Sequence, residues 1–172
     1  MAIKERKVAI LVEDDYEDLE LWYPYYRLKE AGFEPAIIGP GQKKVYHSKH
    51  GYEAKVDLDV SEAKAAMFEG LVIPGGFAPD RMRRHQAVVE FVRIMDREGK
   101  MIAAICHGPS VLISANVLQH RKATGFMSIK DDMTNAGARY IDEEVIIDGR
   151  MVTSRRPADL PAFMRAILEL LG

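Results

Sequence analysis

One cysteine is the residue of this chain best suited to form a covalent bond with a substrate. Cys106 is the only cysteine in 172 residues, and it is followed directly by His107-Gly108-Pro109. The five residues before it, 101–105, are all apolar, which indicates a buried parallel strand that turns sharply into a helix. Helix N-termini stabilise anions and lower cysteine pKa values from about 8.5 to roughly 3.5–7.5. The sequence therefore predicts a reactive thiolate at Cys106.

The same cysteine has a second interpretation, because free cysteine is among the most buried residue types and packs as a small apolar group. The strand-Cys-His-Gly-Pro context favours the reactive thiol. His107 adds a group with an ordinary pKa of about 6.5, suited to proton exchange near neutral pH. Adjacent helical residues point in different directions. A hydrogen bond between Cys106 and His107 therefore does not follow from the sequence, and a structural role at the helix start stays open for His107.

The elements that must position this thiol alternate between apolar strands and amphipathic helices. The predicted strands are residues 8–12, 33–38, short strands within 45–56, 71–73, 101–105, and a hairpin of 145–148 with 151–153. The predicted helices are residues 17–31, 86–97, 109–115, 129–136 and 157–171. Such alternation predicts a mostly parallel sheet with helices on both faces, and sites at the carboxyl ends of its strands.

Three polar segments follow predicted strands and are candidates for one pocket. Cys106 follows one strand, Gly75-Gly76 follows another, and the acidic stretch 13–20 follows the first strand. If these strands are neighbours, a thiol, backbone N–H donors and carboxylates meet at one edge of the sheet. Plain turn formation by Gly75-Gly76 and helix-dipole pairing by the acidic residues are the structural alternatives.

Composition restricts the setting and the partners. With 24 basic and 26 acidic side chains the net charge is -2, and no basic run is long enough to indicate a nucleic-acid or membrane partner. A lone cysteine excludes an intrachain disulfide, and the first residues lack the apolar core of a signal peptide. No apolar stretch approaches the roughly 20 residues that span a bilayer. These features predict a cytoplasmic protein without nucleic-acid or membrane partners.

Five sequence blocks in fixed order cover nearly the whole chain. They are Glu17-Asp18-Leu19-Glu20 with Tyr23-Pro24, Ile73-Pro74-Gly75-Gly76 with Ala78-Pro79-Asp80, Ala104-Ile105-Cys106-His107-Gly108-Pro109, Ile129-Lys130-Asp131-Asp132 with Asn135-Ala136-Gly137, and Thr153-Ser154-Arg155 with Pro157. Together they resemble the ThiJ/PfpI superfamily, and within it the PfpI-type intracellular cysteine peptidases and deglycases. The resemblance implies an α/β, flavodoxin-like three-layer sandwich with a nucleophile elbow. It also implies one PfpI-like domain of the class I glutamine amidotransferase type over residues 1–172.

The resemblance implies roles for the residues around the thiol. Cys106 corresponds to the nucleophile on a strained strand-to-helix elbow, which exposes the sulfur to a carbonyl. Backbone N–H groups of Gly76 and His107, with Gly75 beside them, would bind the resulting oxyanion. His107 would be the proton-transfer partner. Glu20 matches a buried glutamate that hydrogen-bonds the sulfur.

Two carboxylates complete the implied pocket. Glu17 would line it one helical turn before Glu20, whose burial beside a thiolate predicts a raised pKa and a protonated carboxyl. Asp80 stands where relatives usually have a glutamate that orients the histidine from an adjoining subunit. Aspartate is one methylene shorter, so its reach is in question. Phe126 stands where several relatives carry a tyrosine.

An oligomer follows from a carboxylate supplied by a second subunit. The resemblance implies a dimer, trimer or hexamer of this chain, and aromatic residues of the first helix offer an apolar contact surface. They are Trp22, Tyr23, Tyr25 and Tyr26. Ordinary core packing is the alternative for some of them.

The implied function is a cysteine-dependent hydrolase or lyase in stress response, acting on small carbonyl compounds or peptides. Two chemistries fit: a glyoxalase or deglycase reaction on methylglyoxal and glycated groups, and peptidase or amidase activity. The alternative from another class is a non-enzymatic redox-responsive chaperone or sensor that acts through oxidation of Cys106.

No cofactor and no metal are expected. The segment after the first strand lacks a glycine-rich phosphate-binding pattern, which argues against a flavin module. The His47-x-x-His50 spacing occurs among zinc ligands but has no companion motif.

Overall fold

Eleven strands and six α-helices make up the described part of the protein, residues 6–172 of a computed structural model. The strands are β1 Lys7–Leu11, β2 Glu34–Gly39, β3 Val45–His47, β4 Glu53–Lys55, β5 Leu58–Asp59, β6 Gly70–Ile73, β7 Met101–Ile105, β8 Lys122–Ala123, β9 Arg139–Tyr140, β10 Val145–Asp148 and β11 Met151–Ser154. The helices are α1 Asp18–Glu30, α2 Ala78–Met82, α3 Gln86–Arg97, α4 Pro109–Ser114, α5 Lys130–Asn135 and α6 Leu160–Leu171. The first residues, on which the absence of a signal peptide was predicted, lie outside the described part.

The central sheet has seven strands in the order β10-β11-β7-β6-β1-β2-β5. Every neighbouring pair is parallel except β10 with β11, which form the predicted hairpin. Helices α1 and α6 pack together over one face, while α3 and α4 pack together over the other. This arrangement is the predicted three-layer, flavodoxin-like α/β fold.

The strands that lead to the site are buried on both faces. Every residue of β6, β7 and β11 is buried. For β6 and β7 the continuous apolar runs predicted this burial. Helix α1 ends before Gly32, whose φ of 85° lies in the left-handed region that allows the chain to turn toward β2. Within residues 6–172, no helix is both long and apolar enough to cross a membrane.

Several short elements were not predicted from the sequence. The two-residue strands β5, β8 and β9 are too short to show any periodicity, and α2 follows Pro74-Gly75-Gly76, residues that indicate a turn. Two predicted helices begin later than expected, because the stretches Met127–Ile129 and Pro157–Asp159 form 3-10 helices first. Such tight turns are common at helix N-termini.

Candidate active site

Three segments meet at the carboxyl edge of the sheet, as their order along the chain predicted. Strands β7, β6 and β1 are neighbours, so the segments that follow them emerge side by side. Cys106 follows β7, Gly75 and Gly76 follow β6, and the acidic stretch 13–20 follows β1. The open parallel sheet thus brings a thiol, backbone donors and carboxyl groups into one pocket.

Cys106 lies on a sharp turn between β7 and α4. Its φ is 61°, in the left-handed region that costs a residue with a side chain about 1–2 kcal/mol. Backbone hydrogen bonds hold this conformation from both sides: the Cys106 N–H donates to Ser154 O at 3.1 Å, and the Phe126 N–H donates to Cys106 O at 2.8 Å. The turn has the geometry of the predicted nucleophile elbow.

Two glycines allow the neighbouring chain to approach this elbow. A Cβ on Gly75 would lie 2.5 Å from Glu20 Oε2 and 2.6 Å from Cys106 Cβ. Gly76 has a φ of 73°, and a Cβ there would lie 2.5 Å from Asp15 O. Neither position therefore accommodates a side chain without displacing the pocket.

Glu20 is fully buried against the elbow, with 0% of its surface exposed. Its Oε2 accepts a hydrogen bond from the Gly75 N–H at 2.7 Å. Desolvation is the main cause that raises the pKa of Glu20 to about 8, and the charge of Glu17 adds to it. The carboxyl is therefore protonated at neutral pH, as predicted. The Gly75 N–H is bound to Glu20 here, and the oxyanion role expected of Gly75 stays a prediction.

The thiol is buried but surrounded by polar groups. Cys106 is 8% exposed. Burial, followed by the charge of an ionised Glu20, raises its pKa to about 12, while backbone N–H donation from Gly76 and His107 lowers it. The prediction of a lowered thiol pKa is therefore wrong, because desolvation outweighs the N–H donors. The two expected oxyanion donors, Gly76 and His107, do point at the sulfur.

His107 contacts the thiol with one ring nitrogen and a hydroxyl with the other. Its Nδ1 is 3.3 Å from the Cys106 sulfur, so the contact that the sequence left open is formed. Its Nε2 is 3.1 Å from the Oγ of Ser128, and its ring stacks on Phe126 with 4.9 Å between centroids. Desolvation lowers the pKa of His107 from its ordinary value. A neutral imidazole can accept a proton from the sulfur side.

Lys49 brings a positive charge to the same pocket. Its ammonium forms an ion pair with the buried carboxylate of Glu17. That hydrogen bond raises the pKa of Lys49, and the charges of Glu20 and Cys106 add to the effect. Lys49 therefore lies near enough to the thiol to stabilise a negative charge there.

Asp80 is a predicted site residue that makes no hydrogen bond with His107 within the described chain. Asp80 is exposed on α2, and the His107 ring is hydrogen-bonded to Cys106 and Ser128 instead. An approach of Asp80 to His107 across a subunit interface stays a prediction.

The two histidines of the His-x-x-His spacing have separate partners. His47 Nε2 lies 3.4 Å from Glu53, and His50 Nδ1 lies 2.7 Å from Asp18. Within residues 6–172, no group of three or more His, Cys, Asp or Glu side chains could hold a metal ion.

Sequence reasoning missed Lys49 and Ser128, which contact the site from distant segments. Lys49 follows β3, a short strand outside the central sheet, and Ser128 lies in the 3-10 helix before α5. Neither belongs to a motif with a chemical signature. Ser128 lies two residues after Phe126, which the sequence did single out, and this closeness was the one available signal.

Comparisons with known proteins match nearly the whole chain. A family model described as the DJ-1/PfpI family matches residues 6–170. "Deglycase PfpI" of Pyrococcus furiosus is 50% identical over 165 residues, which cover 96% of this chain and 99% of that protein. "Putative cysteine protease YraA" of Bacillus subtilis is 42% identical over 166 residues, with 96% and 98% covered.

A solved structure shares the fold closely. The crystal structure of a two-domain protein from Anabaena variabilis, with DJ-1/ThiJ/PfpI-like and ferritin-like domains, superposes with a TM-score of 0.95 at 47% identity. The match covers 98% of this chain and 48% of that one. The fold described above is therefore shared with that structure.

Proposed function

The chain belongs to the DJ-1/PfpI family, and on that basis we propose that it is a cysteine-dependent enzyme acting on small carbonyl compounds. Its substrates would be methylglyoxal, in a glyoxalase reaction, and the glycated groups that such aldehydes form on proteins, in a deglycase reaction. The supporting observation is a thiol at a positive-φ elbow, flanked by N–H donors and by a protonated buried carboxyl. The deglycase name of a relative at 50% identity agrees with this chemistry.

The reaction needs no external oxidant or cofactor. The Cys106 sulfur bonds to the aldehyde carbon while the thiol proton passes to the carbonyl oxygen, which gives a hemithioacetal. Transfer of one proton from that carbon to the neighbouring carbonyl carbon, and of the hydroxyl proton to the neighbouring oxygen, gives a 2-hydroxyacyl thioester. Water then breaks the C–S bond, restores the thiol and releases a 2-hydroxy acid.

The pocket supplies a group for each step. The N–H groups of Gly76 and His107 face the sulfur and would stabilise the oxyanion, where one such donor is typically worth about 10²–10³ in rate. Glu20 holds a proton near the sulfur at neutral pH. His107, 3.3 Å from the sulfur, would carry the proton between the two carbons.

Peptide hydrolysis is the less favoured chemistry at this site. Cleavage of an amide requires a charged imidazolium that protonates the leaving nitrogen. Burial lowers the pKa of His107. This disfavours the imidazolium, although the name of the Bacillus subtilis relative suggests protease activity for that protein.

Two assays of the purified protein distinguish the two chemistries. One uses methylglyoxal as substrate and the other an amidomethylcoumarin peptide. We expect turnover of methylglyoxal, weak or absent release of coumarin, and loss of turnover in Cys106→Ser, which keeps the shape and removes the thiol. Unchanged turnover in Cys106→Ser would reject the thiol mechanism. Faster coumarin release than aldehyde conversion would favour the peptidase.

A redox sensor or chaperone is the second candidate, and the surroundings of Cys106 favour it specifically. Oxidation by peroxide would add oxygen atoms that can accept hydrogen bonds from the Gly76 and His107 N–H groups and from protonated Glu20. Intact mass after mild peroxide, compared with suppression of aggregation by the same sample, tests it. A gain in holdase activity on oxidation, without aldehyde turnover in the reduced protein, would favour the sensor.

Assembly into a homo-oligomer is part of the proposed function. The exposed position of Asp80 on α2 leaves its carboxylate available to a second copy of this chain. If this contact orients His107, Asp80→Asn should lower the turnover of methylglyoxal, and an unchanged turnover would contradict that role.

A further inference from the structure

The turn that carries Lys49 is fastened to the first turn of α1. Asp18 Oδ1 accepts a hydrogen bond from the Ser48 hydroxyl at 2.7 Å, and its Oδ2 accepts one from His50 Nδ1 at 2.7 Å. Lys49 lies between these two donors in the chain. We propose that Asp18 is a positioning residue that holds Lys49 beside the thiol. This inference rests on the proposed function and adds a residue that acts on the pocket through Lys49.

The turn of residues 48–52 is organised around one buried hydroxyl. Ser48 is 4% exposed, and its Oγ accepts the backbone N–H of His50 at 3.1 Å and that of Tyr52 at 3.0 Å. The hydroxyl proton is donated to Asp18. The carboxylate therefore fixes the direction of the hydroxyl and, through it, the shape of the turn.

The Asp18 side chain is a carboxylate at neutral pH. Partial burial opposes its ionisation, but the hydrogen bonds from Ser48 and His50 outweigh burial and lower the pKa of Asp18. A carboxylate only accepts hydrogen bonds, so both neighbours donate to it. Hydrogen bonds to an ionised group are roughly twice as strong as those between neutral groups. Asp18 therefore holds the turn more firmly than a neutral acceptor would.

Lys49 is held at its backbone and at its ammonium group. The Lys49 N–H donates to Tyr16 O at 3.0 Å, and the ammonium pairs with Glu17. Glu17 is buried, and its charge is one of the causes that raise the pKa of Glu20. Lys49 offsets that charge, so less negative charge opposes a thiolate at Cys106. A displaced Lys49 would leave the Glu17 carboxylate uncompensated in the pocket.

Asp18→Ala tests the anchor by carbon-13 NMR of the Lys49 side chain. The hydrogen bond with Glu17 raises the pKa of Lys49, so release of the turn should lower that pKa by about half a unit or more. Asp18→Asn removes the charge but keeps an oxygen that accepts from Ser48, so its effect on the pKa of Lys49 should be smaller. An unchanged pKa in Asp18→Ala would overturn the proposal. An equal fall in both variants would also overturn it, because it would indicate a long-range charge effect without a change of position.

Asp96→Ala is the matched control for loss of a carboxylate. The Asp96 side chain is 23% exposed, against 24% for Asp18, and it accepts a hydrogen bond from Arg121 at 2.7 Å. Asp96 lies in α3, so Asp96→Ala should leave the pKa of Lys49 and the turnover of methylglyoxal unchanged. A fall of the same size as in Asp18→Ala would overturn the proposal, because general loosening of the fold would then account for both.

Steady-state kinetics with methylglyoxal test whether Asp18 acts through Lys49. We expect Lys49→Met and Asp18→Ala each to lower kcat/KM by about tenfold, which corresponds to one unit in the thiol pKa. The double variant should be no slower than Lys49→Met alone, whereas losses that multiply would overturn the positioning role. The NMR signal does not require turnover: an inactive wild-type protein with an Asp18-dependent pKa of Lys49 would reject the proposed function and leave the positioning role in place.

Discussion

At the scale of single residues, Glu20 and Cys106 behave as one titrating pair. The pKa of Glu20 is raised to about 8 and that of Cys106 to about 12, in each case chiefly by burial. Each negative charge also disfavours the other, so the pair loses its first proton near the lower value and its second near the higher one. Because the lower value belongs to Glu20 and the higher one to Cys106, the thiol keeps its proton well above neutral pH.

Glu20→Gln should change how stability depends on pH. Unfolded Glu20 ionises near 4.5, whereas the folded carboxyl keeps its proton to about 8, so the wild-type protein loses stability as the pH rises between these values. Glutamine does not titrate, so the variant lacks this pH-dependent loss of stability. From pH 5 to pH 8 its free energy of unfolding should rise relative to wild type by roughly 4 kcal/mol, measured by urea denaturation.

Glu98→Gln is the matched control for that measurement, because Glu98 is exposed. Its difference from wild type should stay constant within about 0.5 kcal/mol over the same pH range. If Glu20→Gln shows the same flat difference as Glu98→Gln, then Glu20 is not protonated in the folded protein at neutral pH.

The sequence identified the central residues of the site better than its supporting ones. Cys106 and Glu20 belong to recognisable blocks, and the structure places them together. The thiol pKa was predicted in the wrong direction because the amount of desolvation depends on tertiary packing, which no local pattern encodes. Lys49 and Ser128 were missed for the same reason, since only the fold brings them to the pocket.

At the scale of elements, the turn between β7 and α4 stores backbone strain at the reactive residue. Cys106 has a φ of 61°, which glycine adopts without a steric penalty. Cys106→Gly should therefore be more stable than Cys106→Ala by about 1–2 kcal/mol, although both lack the sulfur. Chemical denaturation of the two variants at one pH measures the difference.

Ser114→Gly and Ser114→Ala, in the last turn of α4, form the control pair. In a helix, alanine should be the more stable of the two by roughly 1 kcal/mol. A preference for alanine at both positions would show that the elbow is unstrained.

Strands and helices with long apolar runs or amphipathic repeats were predicted correctly, whereas the shortest elements were missed. The strands β7, β10 and β11 and the helix α3 were predicted to within one residue of the observed bounds, because apolar runs and amphipathic repeats are strong signals. Helix α1 was also found, although Pro24 lies inside it. Helix α2 was missed because Phe77-Ala78-Pro79-Asp80 has the composition of a turn.

At the scale of the whole molecule, aromatic residues form an exposed surface beside α1. Trp22 packs edge-on against Tyr25 and Tyr52, with centroids 5.3 and 5.6 Å apart. Trp22 and Tyr25 are partly buried against the core, whereas Tyr26 is 62% and Tyr52 is 60% exposed. Trp22 and Tyr25 thus pack against the core, which was the alternative interpretation. Tyr26 and Tyr52 remain available for contact with another copy of the chain.

Tyr26→Glu should weaken the predicted homo-oligomer, since it places a charge in an apolar contact. Sedimentation velocity should give an oligomer for the wild-type protein and a smaller mass for the variant. Ile147→Glu is the control, because Ile147 is also exposed but lies on the edge strand β10. A monomeric wild-type protein would contradict the prediction of assembly.

Alkylation of the native protein tests most directly whether the fold presents Cys106 as a nucleophile. The chain has one cysteine, so intact mass after iodoacetamide treatment counts reactive sites without ambiguity. We predict a single adduct on the folded protein, formed at a rate that rises with pH up to about 12, where the buried thiol loses its proton. Modification that occurs only after unfolding in denaturant would contradict the account.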